Sequence, residues 1–137
     1  MTKTVFDNNI WLDYLLTYDQ DIARVIKLST SRKITLLSSH EILEELNHKM
    51  MILLKNKLLS KKRVITFFKV IPYLFKIYRK NIISHSLEDK RLGVYADLAS
   101  SEKADYLVAY DYKEFERLDG FEEINVVALD TYIKNIF

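Results

Sequence analysis

The sequence has no cysteine, a single proline (Pro72) and only two glycines (Gly93 and Gly120) in 137 residues. Without cysteine there are no disulfides, no thiolate metal site and no thiol nucleophile. That composition fits a reducing compartment. Few helix breakers and a hydrophobic content of 49% point to a helix-rich globular chain, not a disordered one. No stretch reaches the roughly 18 apolar residues of a membrane span, and the start lacks the apolar run of a signal peptide. The expectation is a soluble, cytoplasmic protein with no membrane partner. A glycine-rich phosphate loop is also missing, which argues against nucleotide binding of the Rossmann or P-loop kind.

One further absence is local. Between Glu45 and Glu88 no acidic residue occurs, while Lys49, Lys55, Lys57, Lys61, Lys62, Arg63, Lys69, Lys76, Arg79 and Lys80 all fall in that stretch. The net charge of +2 conceals this asymmetry. A block of one sign is a footprint for a polyanion such as RNA, or a solvated helical face, or a face that meets an acidic partner.

What is present alternates. Short apolar runs at Val5-Phe6, Ile34 to Leu37, Ile82-Ile83, Tyr106 to Tyr110 and Val126 to Ala128 read as strands. Between them, apolar residues at three- and four-residue spacing predict helices over about 9–16, 22–28, 41–54 and 62–79, with Pro72 as a kink in the last. Ser38 with Glu41, and Ser86 with Asp89, match capping boxes; Ser39 is the alternative cap for the first of these helices. Asp130 is placed as the cap of a short terminal helix. Strands alternating with helices imply βαβ units, hence one α/β domain over residues 1–137. It has three layers around a mostly parallel sheet of four to five strands.

Two of these strands end on an acid: Val5-Phe6 delivers Asp7, and Tyr106 to Tyr110 delivers Asp111. In an open parallel sheet ligands sit outside the carboxyl ends of the strands, so acids there face a crevice. Hard cations such as Mg²⁺ take oxygen ligands, and two-metal sites clamp both oxygens of a phosphodiester displacement. Glu41, Glu44 and Glu45, at the start of the third helix, are further acids for such a site. The three histidines (His40, His48 and His85) form no ligand set.

At this point the residues resemble a family. Val5-Phe6-Asp7-Asn8-Asn9 is similar to the opening hydrophobic-hydrophobic-Asp-Thr-Asn motif of PIN-domain nucleases. Ser39 to Leu46 is similar to their Ser-Pro-x-hydrophobic-hydrophobic-x-Glu-Leu segment, which identifies Glu45 as the metal-site acid. Ala104-Asp105-Tyr106-Leu107-Val108-Ala109-Tyr110-Asp111, with Phe115 following, resembles the Ala-Asp-x-Leu-Val-Thr-Gly-Asp block. The resemblance implies a PIN-like fold and a Mg²⁺- or Mn²⁺-dependent endoribonuclease. Asp7, Glu45, Asp89 and Asp111 would hold the metal, with Asn9 supporting Asp7. It further implies the toxin of a VapBC-like toxin–antitoxin pair, inhibited by a small antitoxin protein and homodimeric.

The chain departs from the pattern at the third acid. An ungapped match puts Leu92 there, which binds no cation. Asp89-x-x-Leu92-Gly93-x-x-Ala96 is similar to the family's helix start and favours Asp89, about 60° away around a helix. Asp97 is the alternative. Ala109-Tyr110 replaces the family's Thr-Gly, removing a hydroxyl. A catalytically impaired PIN-like module that binds RNA or protein is therefore the second expectation.

Overall fold

The computed structural model describes residues 1–79 and 89–137. Five parallel strands form one sheet: β1 (Thr2–Phe6), β2 (Ile34–Ser39), β3 (Phe75–Tyr78), β4 (Tyr106–Ala109) and β5 (Val126–Ala128). Their order is β3-β2-β1-β4-β5, and all four pairings are parallel. The helices are α1 (Asn8–Thr17), α2 (Gln20–Thr30), α3 (His40–Lys55), α4 (Lys61–Leu74), α5 (Lys90–Ser101), α6 (Tyr112–Phe115) and α7 (Leu129–Ile136).

Strand side chains alternate faces, and this alternation builds two cores. Phe6, Leu36 and Val108 point to one side, where Trp11, Ile22, Met50, Phe67 and Tyr132 of α1, α2, α3, α4 and α7 cover them. Val5, Leu37 and Leu107 point to the other, under Leu92, Tyr95 and Leu98 of α5 and Phe115 of α6. The result is a three-layer α/β/α fold. Trp11, only 1% exposed, is the hub of the first core: its ring lies 5.1 Å from Phe6 and 5.3 Å from Phe75. The buried hydroxyl of Thr4 is partnered by Tyr132 at 3.2 Å, and burial pushes that phenol up to about 12.

Three local expectations are corrected and one open alternative is decided. The helix expected to run on to residue 79 ends at Leu74, and Phe75–Tyr78 is instead strand β3. Apolar spacing through Val70, Ile71, Leu74 and Phe75 suits a helix, but pairing with β2 prevails. Pro72 stands in the last turn of α4, where it withholds one intrahelical amide two residues before the helix ends, and it does not divide a helix that runs on to residue 79. Ser39, not Ser38, caps α3: its Oγ accepts from the Ile42 amide at 3.2 Å while Ser38 stays in β2. Asp130 lies inside the first turn of α7 and Ala128 is its cap position. The strand expected at Ile82-Ile83 and the cap at Ser86 lie outside the described residues; Asp89 itself caps α5.

Candidate active site at the carboxyl edge of the sheet

Strand β1 is central, and the chain leaves it toward β2 on one side while β4 lies on the other. Crevices of parallel sheets open at such a switch point. Asp7 is the first residue past β1, and it is fully buried. Its backbone amide extends the pairing with β4, donating to the Val108 carbonyl at 2.9 Å. Its carboxylate caps α1 by accepting from the Asn9 amide at 3.1 Å, and its other oxygen accepts from the Tyr110 amide at 3.3 Å. Burial pushes the carboxyl above its ordinary value, against the pull of those two amides and of Arg91.

Glu45 reaches the same place from the second turn of α3. Its Oε1 accepts from the Asn8 side-chain amide at 3.1 Å, and Lys49 lies 3.6 Å away. The buried Tyr95 hydroxyl is 3.5 Å from that oxygen and accepts from the Asn8 backbone amide at 3.1 Å. Burial, then the charges of Asp7 and Glu45, hold the Tyr95 phenol well above its ordinary value. It is a neutral hydrogen-bonding group.

Asp7 and Glu45 meet on a cation that belongs to the chain. Arg91, in the first turn of α5, places Nη2 at 3.3 Å from Asp7 Oδ1 and Nε at 3.4 Å from Glu45 Oε2, and pairs through Nη1 with Glu114 of α6. Burial works against its charge. The carboxylates of Asp7, Glu45 and Glu114 outweigh that and keep the guanidinium above its ordinary value.

The other expected acids stand close by in sequence but are engaged in capping. Asp111 follows Tyr110, is exposed, and accepts from the Lys113 amide at 3.2 Å as the cap of α6. Asp89 precedes α5 instead of lying on its face. One oxygen accepts from the Arg91 and Leu92 amides at 2.9 and 3.3 Å, and the other meets Arg117 at 3.4 Å. Asp97 is roughly 12 Å of helix rise further along α5, beyond the turn that carries Arg91 and Tyr95. Asn9 touches Asp7 through its backbone amide, a contact any residue but proline makes. The side chain that positions an acid is the neighbouring Asn8.

Residues 3–113 match the PIN domain family. The chain belongs to that family. Its members are generally metal-dependent nucleases, and the five-stranded parallel sheet between helical layers agrees with a PIN-like fold. No curated protein matches this PIN domain. Among the described residues no helix is long and apolar enough to cross a membrane.

The donor chemistry suits a hard cation: Asp7 and Glu45 present carboxylate oxygens to one positive centre, and Mg²⁺ commonly takes one or two carboxylates with waters. That centre is Arg91. Among the described residues, no three acidic or histidine side chains form a group that could hold a metal ion.

Arg91, Asn8, Tyr95 and Glu114 were not among the residues expected at the site. The motif spacing draws attention to acids alone. Arg91 directly before Leu92, the residue that the ungapped match puts in the acid's place, was the one available signal.

Proposed function

We propose that this PIN domain is an endoribonuclease that works with Mg²⁺ or Mn²⁺. The observation that carries the reading is the fully buried Asp7 at the carboxyl end of the central strand, held by the Tyr110 amide just past β4 and sharing a cation with Glu45. Asp7 and Glu45 would hold the metal, with Asp111 and Asp89 as the further acids of the set. When bound, the metal would activate water and offset charge on the phosphodiester. The chain's own groups do the positioning. The Asn9 and Tyr110 amides orient Asp7, while Asn8 and Tyr95 orient Glu45.

RNA is the proposed substrate because the acid-free stretch presents exposed Lys55, Lys57, Lys61, Lys62, Lys69 and Lys76 along α3, the turn after it, α4 and β3. Arg63 is taken up by structure, donating to the Leu15 carbonyl at 3.1 Å and stacking on Tyr18. Phe75 packs in the core, and only Tyr73 among the aromatics near these lysines is fully presented, at 78% exposure. A cytoplasmic toxin restrained by a small antitoxin, and acting as a homodimer, is the biological setting the family resemblance suggests.

A second reading has its own observation: Arg91 already pairs with Asp7 and Glu45, and Arg117 engages Asp89. That arrangement favours a non-catalytic PIN module that binds RNA or protein. Cleavage of RNA with Mg²⁺ or Mn²⁺, wild type against Asp7→Asn, decides between them. Activity in the wild type alone is expected; equal activity in both would remove the nuclease reading, and binding without cleavage would favour the second.

A further inference from the structure

Arg91 is in contact with acids from three separate elements: Asp7 after β1, Glu45 on α3 and Glu114 on α6. The contacts do not form a bidentate fork on one carboxylate, the arrangement that makes an arginine pair strong and specific. Each nitrogen instead faces a different residue, and the distances to Asp7 and Glu45 are 3.3 and 3.4 Å. A single charge is thereby spread over three acids. With Lys49 beside Glu45, the cluster sets three carboxylates against two cations. The guanidinium carbon lies 5.8 Å from the Tyr95 ring centre and 5.6 Å from that of Phe115, so its back is against apolar surface. Its side chain is still 27% exposed, whereas Asp7 is sealed. The cation has a way out; the acid it serves does not.

We infer that Arg91 is the crevice's resident counter-ion, and that a divalent cation binds there only in exchange for its guanidinium. The inference rests on reading the crevice as a divalent-cation site. Exchanging a single positive charge for a double one improves the balance against three carboxylates. It also makes Arg91 a competitor that sets the metal concentration at which the site fills. An arginine that only tied α5 to the sheet would stay in place when metal binds. An exchanging one must move.

The test is Mn²⁺ binding to the whole chain by calorimetry, comparing wild type, Arg91→Gln and the double variant Asp7→Asn/Arg91→Gln. Removing the competing charge should tighten Mn²⁺ binding roughly tenfold or more, and the double variant should lose that gain. In parallel, the Arg91 Nε–H signal of the wild type is followed by NMR during a Mg²⁺ titration, where a saturable shift is expected. The NMR arm stands even if Arg91→Gln fails to fold. Equal Mn²⁺ affinity in wild type and Arg91→Gln, or an Arg91 signal that stays put while Mg²⁺ binds, overturns the exchange and leaves the metal-site reading intact. Tight binding that survives in the double variant also overturns it. No binding in any of the proteins removes the metal-site reading itself.

Discussion

The side-chain amide of Asn8 joins the end of the central strand to Glu45. Its Nδ2 donates to Glu45 Oε1 at 3.1 Å and to the Ile42 carbonyl at 2.8 Å, from a position only 1% exposed. Asn8 directly follows Asp7, so one dipeptide supplies a crevice acid and the support of the other. Replacing Asn8 by alanine removes a buried hydrogen bond to the Ile42 carbonyl and a part-buried one to the charged Glu45. A loss of about 1–3 kcal/mol in chemical denaturation is expected. A loss below about 0.5 kcal/mol, the ordinary range for inconsequential surface changes, would show that Asn8 is not the support described.

Tyr95 separates hydrogen bonding from packing. Tyr95→Phe keeps the ring against Phe115, 5.3 Å away, and deletes the hydroxyl that accepts from the Asn8 amide. The amide is left buried without that partner, so stability should fall by about 1–2 kcal/mol. The Asn8 amide should also exchange faster with solvent. Unchanged exchange at Asn8 would contradict the assignment.

Asp7 makes stability depend on pH in a defined direction. Its folded pKa lies above the reference value of 3.8. Between the two values the native state keeps a proton that the unfolded chain has lost. The stabilisation is therefore complete below the unfolded pKa and lost as pH rises through the folded one. Asp7→Asn cannot ionise. The stability of wild type relative to this variant, without metal, should decrease as pH rises above the reference value and through the raised one. A pH-independent difference would refute the raised value.

Asp89 is expected to behave as a cap. Asp89→Ala should cost about 1 kcal/mol in denaturation, whereas Asp89→Asn should stay within a few tenths, because asparagine caps as well as aspartate does. Equal losses in the two variants would mean that the ion pair with Arg117, not the cap, carries the effect.

The basic stretch is tested by salt. If it contacts RNA phosphates, log affinity should fall linearly with log salt. Reversing Lys61, Lys62 and Lys69 to Glu should lower that slope by about two, at roughly 0.7 per single-strand phosphate contact. RNA affinity indifferent to salt would exclude the role.

The sequence by itself determined the layers and the first acids. Val5 and Phe6, Leu36 and Leu37, and Leu107 and Val108 are adjacent apolar pairs, and a pleated strand must send one member of each to either core. Asp7 follows β1 directly and Asp111 follows β4 after Tyr110, so their place at the carboxyl edge is a local property of the chain. The tertiary structure decided what local patterns leave open. Phe75–Tyr78 has spacing that suits a helix, and it became a strand because β2 offered an edge to pair with. Arg91 is one more surface cation by composition. It enters the acid crevice because α5 packs across the sheet and brings it to Asp7, 84 residues earlier. Charge is written in the sequence, but which opposite charge it meets is settled only when distant elements pack.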